Sequence, residues 1–482
     1  MLFNSFSYAL FLPVLFVLYW FVFQRNLRFQ NFLLLAASYF FYSCWDWRFV
    51  ILLIFSTLLD YFTGIQIHEA ATRKTKKLWL WISVGINLGL LGFFKYFNFF
   101  AESFARMLTE IGLQVNYSSL QIILPIGISF YTLHGLSYIF DLYKNKIEPE
   151  RNFVNYAVFV SFFPLLVAGP IERATHLLPQ IVKKRKFEFS QMADGLRQIL
   201  WGLFKKIVIA DNCAEYVNAI FNNSSSYNGS TLAIGILFFA FQVYCDFSGY
   251  SDIAIGTARL LGINLLRNFA FPYFSRDMAE FWRRWHISLT SWVKDYLYIP
   301  LGGSKGGLWI KIRNVFIIFI VSGFWHGANW TFILWGVVHA ILILPSIIFN
   351  TNRENLDIVA KGKYLPSLKE FFSMAITFTL SVFAMIFFRA IDVPHAFSYI
   401  NGIISASLFD SPNLRGISAA IPLVIIILIF MLIEWLGREQ QYAISNLEFK
   451  LSKPVRWVFY YSIIVIIYIY AGKEQTFIYF RF

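Results

Sequence analysis

Long apolar runs recur along the whole chain, and the polar stretches between them are short. Runs long enough to approach about 30 Å of hydrocarbon occupy 2–23, 29–44, 48–65, 78–99, 122–142, 152–170, 231–262, 312–334, 335–350, 371–390, 418–437 and 455–471. In lipid the backbone has no water to bond, so each run predicts a helix. Some runs are read as re-entrant, leaving about eleven transmembrane helices plus broken ones. The predicted class is an all-α integral membrane protein. The longest polar interruptions, 143–152, 171–197, 221–230 and 351–369, are too short for a soluble domain. A single membrane domain, 1–482, is the economical reading. Leu2–Phe23 lacks a basic leader and a small-residue cleavage site, so it reads as a retained span.

Composition strengthens the membrane reading. Hydrophobic residues make up 58% of the chain and charged ones 14%, against roughly 45–50% and 25% in soluble domains. The mean hydropathy is +0.59. A water-exposed surface could not be covered with so few charges. The 15 Trp and 26 Tyr suit two interfacial belts. The net charge of +14 is scattered over short loops, unlike the soluble basic face of a nucleic-acid binder. Basic clusters at Arg25–Arg28, Arg73–Lys77 and Lys183–Lys186 place those loops in the cytoplasm and the N-terminus outside. Cys44, Cys213 and Cys245 show no CxxC spacing, so neither a metal site nor a disulfide framework is expected.

One stretch breaks the pattern. Residues 267–305, RNFAFPYFSRDMAEFWRRWHISLTSWVKDYLYIPLGGSK, alternate aromatics with charges. They are too charged for a lipid-facing helix and too aromatic for a free loop. Ionisable groups at membrane depth normally face a protein interior or a wet cavity. Short broken helices lining such a cavity are expected here.

Of the seven histidines, His68, His134, His176, His339 and His395 suit structural or interfacial roles. His326 differs, because SGFWHGANW sets it among aromatics with Gly323 and Gly327 on either side. Neutral imidazole is the natural general base near pH 7. A packed helix–helix histidine accounts for those residues equally well. His286, in WRRWHIS, is the second candidate, expected to resist protonation beside Arg283 and Arg284. Those arginines suit phosphates or an ion pair with Glu280 at helical spacing. Asp246 and Asp252, within CDFSGYSDIAIG, suit a buried polar network or a cation-coupled transporter. Hydrolase, ATPase, dinucleotide and zinc-protease signatures are missing from the sequence.

Several blocks carry a family resemblance over nearly the whole chain. They include LPIGISFYTLHGLSYIFDLYK, FFPLLVAGPIER, QVYCDFSGYSDIAIG, WRRWHISLTSWVKDYLYIPLGG and SGFWHGANWTF. Together they resemble the bacterial membrane-bound O-acyltransferases, in the branch of the alginate O-acetylases. The resemblance implies a ring of helices around a central funnel. It makes His326 the catalytic histidine and His286 the second functional position. It implies transfer of an acetyl group from cytoplasmic acetyl-CoA to an exopolysaccharide or cell-wall glycan. The transfer would involve an SGNH-type partner protein or a polysaccharide assembly complex at a bacterial inner membrane. No bound cofactor or metal is implied; acetyl-CoA is the donor substrate. On this reading Arg283, Arg284 and Lys294 hold donor phosphates, and His286, Asn329 or a backbone N–H steadies the oxyanion. A D-alanyl transferase using a carrier protein, a transporter and an export scaffold are the alternatives.

Overall fold

Seven helices among the described residues are long and apolar enough to cross a membrane. The computed structural model describes residues 1–113, 120–413, 417–447, 451–472 and 475–478, which contain helices and no strand. Two compact units emerge, Met1–Gln191 with Ala258–Leu266, and Met192–Thr257 with Arg267–Phe482.

In the first unit lie α1 (Phe6–Val17), α2 (Leu27–Ser43), α3 (Arg48–Glu69), α4 (Arg73–Leu91), α5 (Phe97–Glu110), α6 (Ile128–Tyr143), α7 (Phe153–Ser161), α8 (Phe163–Leu166) and α9 (Ala174–Val182). The second unit takes up α10 (Phe189–Leu203), α11 (Asp211–Asn222), α12 (Gly229–Leu260), α13 (Met278–Arg284), α14 (Ile287–Val293), α15 (Leu308–His326) and α16 (Trp330–Ile348). It continues with α17 (Leu368–Arg389), α18 (Val393–Ile403), α19 (Ile417–Gly437) and α20 (Lys453–Tyr470).

The spans are α3, the continuous helix Arg73–Glu110, α12, α15, α16, α17 and Ala420–Gly437. Other apolar runs, Phe6–Val22 among them, hold shorter helices, and the reasons are local. The 122–142 run yields only the 16 residues of α6. The 152–170 run breaks at Phe162, whose ψ of 112° takes the chain out of the helix two residues before Pro164. The 17 residues of α2 reach only about 26 Å at 1.5 Å per residue. In α20, Lys453, Arg456 and four tyrosines dilute an otherwise apolar run.

The first unit is knotted by polar groups in α3 and α4. Ser83 Oγ and Asn87 Nδ2 donate to Asp60 Oδ1 at 2.6 and 2.7 Å, and Ser56 Oγ donates to Asn87 Oδ1 at 2.8 Å. These donors satisfy the buried carboxylate from inside the protein, where water is unavailable.

In the second unit, the long apolar stretch 312–350 turns back on itself at Gly327–Asn329, earlier than the break expected after 334. Asn329 accepts from Thr331 N at 3.1 Å and so caps α16. A Cβ on Gly323 would lie 2.2 Å from Phe332 O, and one on Gly327 2.2 Å from the Phe332 ring. The two helices therefore approach as closely as backbone allows, and His326 is held at the bend.

Candidate functional site

His286 sits between α13 and α14 with φ 44° and ψ 51°, a left-handed conformation that a non-glycine residue adopts only at a cost. Its neighbours hold it there. Ile287 N donates to Asn268 O at 2.9 Å. Asn268 Oδ1 lies 3.0 Å from His286 Nδ1 and also accepts from Ser288 Oγ at 2.9 Å. Asn268 Nδ2 in turn donates to Ser251 Oγ at 3.1 Å. With a carbonyl oxygen facing it, Nδ1 carries the proton. Nε2 is therefore an acceptor, and it is buried with no hydrogen-bond partner among the described residues.

Burial pushes the His286 pKa down to about 3, so the ring is neutral near pH 7. The arginines expected to suppress its charge are not the cause. Arg283 donates to the carbonyls of Asn352 and Asn355, both at 2.7 Å. Arg284 donates to Glu280, at 2.6 Å from Nη2.

His326, the last residue of α15, is 3% exposed. Its ring centroid lies 5.2 Å from Trp335, 5.4 Å from Phe388 and 6.2 Å from His286. Residues 40 apart in sequence thus place two buried imidazoles side by side. A small cavity of about 20 Å³ touches His326 and is walled by Val243, Phe281, Trp285, Trp335, His339, Met385 and Phe388.

A second cavity, of about 570 Å³, runs along α15 and α16. Lys311, Val315, Ile318, Phe319 and Ser322 line it from one face of α15. Arg283, Lys294 and Arg353 line it as well. Among the described residues Lys294, Lys311 and Arg353 form no ion pair. Trp282 connects the two cavities: it lines the larger and donates its indole N–H to His339 Nδ1 at 3.3 Å.

The expected site residues therefore part company. His286 and His326 meet, and Arg283 and Lys294 share the large cavity. Arg284 does not line it. Asn329 caps α16 and donates one Nδ2 hydrogen to Ile391 O at 2.9 Å, which leaves its second amide hydrogen for an oxyanion. Asp252 and Asp246 are buried partners of Lys205 and Lys206, at 2.5 and 2.8 Å. Sequence reasoning missed Asn268, Trp282, Lys311 and Arg353. Of these, only the two cations carried a visible signal, as basic residues flanking spans.

A family model for membrane-bound O-acyltransferases matches residues 149–388, which includes both histidines. The chain is 36% identical to the probable alginate O-acetylase AlgI of Pseudomonas aeruginosa over 439 residues, 90% of this chain and 80% of that protein. It is 33% identical to the peptidoglycan O-acetyltransferase of Helicobacter pylori, covering 100% of this chain and 98% of that protein. Identity to the teichoic acid D-alanyltransferase of Bacillus subtilis is 28%, over 53% of this chain and 65% of that protein. Full-length similarity of this kind, over a multi-pass helical chain, makes this protein a member of the membrane-bound O-acyltransferase family and an O-acyltransferase.

Proposed function

We propose that the protein transfers an acetyl group from cytoplasmic acetyl-CoA to a hydroxyl of an extracytoplasmic glycan, through an SGNH-type partner or an assembly complex. The observation that carries this reading is the pair of buried imidazoles, His286 and His326, on the same elements that wall a cation-lined cavity. The printed activities of the relatives, alginate O-acetylase and peptidoglycan O-acetyltransferase, support an acetyl donor and a glycan acceptor. Lys305, Lys311, Arg313 and Arg353 cluster where α15 begins and just beyond the end of α16. By the positive-inside tendency that end is cytoplasmic, the membrane is the bacterial inner one, and the N-terminus lies outside. The whole chain acts as one membrane domain.

The geometry supports the following mechanism. Phosphates rest on Lys294, Lys311 and Arg353, with Arg283 beside them. From Lys311 to His326 is about 22 Å along α15 at 1.5 Å per residue, a reach for the thiol arm of the donor. Trp282 meets that arm near the small cavity. His326 takes the proton of the acceptor hydroxyl, whose oxygen bonds to the thioester carbonyl carbon. The C–S bond then breaks, and the proton passes from His326 to the leaving thiolate. Nε2 of His286 accepts a hydrogen bond and orients the hydroxyl. Its tautomer suits that task better than donation to an oxyanion, which falls to a backbone N–H or to Asn329.

The test is transfer of labelled acetyl by the purified chain in liposomes, with partner and glycans on the far side. Label on neither, together with label from an aminoacyl-carrier donor, would replace this reading with D-alanyl transfer. In the same assay Lys311→Glu with Arg353→Glu raises KM for acetyl-CoA roughly tenfold or more and spares kcat. Hydrogen bonds to charged groups contribute about 1.5–3 kcal/mol each. An unchanged KM removes the donor from this cavity. Asn268→Ala frees the His286 ring and lowers kcat roughly 10²-fold, the scale of a 1 Å misplacement. Wild-type kcat in that variant would mean His286 needs no such support.

A further inference from the structure

We infer that the small cavity beside His326 receives the methyl of the donor's acyl group and limits the donor to two carbons. This rests on the acyl-transfer reading above and adds what selects the acyl group. The cavity measures about 20 Å³, little more than the roughly 10–15 Å³ that one water requires. Its apolar walls are Val243 of α12, Phe281 of α13 with Trp285 just beyond it, Trp335 of α16, and Met385 and Phe388 of α17, with His326 and His339 as its polar edges. Each of the six apolar side chains is buried, and among the described residues no carboxylate lines the space.

Those properties discriminate among donors. An acetyl methyl is small, apolar and adjacent to the carbonyl that must stand before His326. A butyryl chain needs space that Met385 and Val243 occupy in a closely packed interior. An aminoacyl group would place an ammonium among aromatic rings without a counter-charge, at a substantial desolvation cost. In the transfer step the hydroxyl oxygen–carbonyl carbon bond forms, the C–S bond breaks, and the proton passes by way of His326 to the thiolate. The methyl is unchanged throughout, so its pocket acts on selection alone.

The experiment compares acetyl-CoA with butyryl-CoA on the reconstituted full-length chain, reading thiol release with the acceptor that the transfer assay identifies. Wild type favours acetyl by about 10-fold or more, since one methylene in a tight pocket is worth roughly 10–200-fold. Met385→Ala removes the thioether arm and raises the butyryl-to-acetyl ratio at least tenfold. Val243→Leu fills the cavity and lowers acetyl transfer severalfold with donor KM at the phosphate end unchanged. Gel filtration and circular dichroism confirm that both variants fold. If His326-dependent acetyl transfer persists but wild type and both variants show one and the same acyl ratio, the selection role is overturned alone. If wild type shows no His326-dependent acetyl transfer, the underlying reading falls and takes this inference with it.

Discussion

His326→Gln lowers acyl transfer about 10²–10⁴-fold, the usual contribution of a positioned general base, while donor binding is retained. Glutamine preserves much of the volume between Trp335 and Phe388, so packing at the bend survives. His326→Ala loses the same proton acceptor and adds a void, and its rate falls at least as far. The two variants together separate chemistry from packing: similar losses point to the lost base, whereas a defect confined to alanine points to the cavity. The check is kcat for labelled acetyl transfer, alongside KM for the donor. Because the cations of the large cavity lie about four turns of α15 away, KM for acetyl-CoA stays near wild type. Full transfer by His326→Gln would remove this residue from the chemistry and leave His286 Nε2 as the base.

How much of this could be read beforehand varied with how local each cause was. Membrane class follows from bulk composition, and α3, α12 and α17 follow from uninterrupted apolar runs. The 267–305 segment was readable as broken helices because its charges cannot face lipid. Apolar runs do not report where a helix stops, so several of them hold helices shorter than the seven long ones. At Phe162 the backbone leaves the helix before Pro164, although the run of apolar residues continues. His326 stood out through its glycines, whose reason is the close approach of Phe332. The pairing of His326 with His286 needed the family resemblance, since no spacing rule brings the end of α15 to the start of α14. Asn268 lay beyond sequence reasoning altogether. Its value depends on one backbone bond to Ile287 and three side-chain contacts, with Ser251, His286 and Ser288. Lys311 and Arg353 resembled ordinary topology signals until both were found along one cavity.

Glu280→Ala destabilises the second unit by about 3–5 kcal/mol, the cost of removing one partner from a buried ion pair. Glu280 is 1% exposed and holds two arginines from within the same segment. Arg276 approaches Oε2 at 2.7 Å through its backbone N and at 3.0 Å through Nε. Arg284 approaches Oε1 at 2.6 and 3.0 Å through Nη2 and Nε. Both arginines also reach Asp357, so the 351–367 loop is tied to α13 through the same guanidiniums. Without the carboxylate, two cations remain largely buried, offset by carbonyls, the exposed Asp357 and, 3.8 Å from Arg276, Glu370. Glu280→Gln keeps the acceptor oxygen and gives a smaller loss. Replacing Glu280 and Arg284 together by methionine restores part of it, because an apolar pair carries no desolvation cost. Thermal unfolding in detergent measures all three, and a Glu280→Ala midpoint equal to wild type would contradict the argument. Transfer activity falls in parallel with stability, because α13 ends immediately before Trp285 and His286. A tilt in that helix reaches the imidazole through two residues of backbone, and Asn268 can hold the ring only where the chain delivers it.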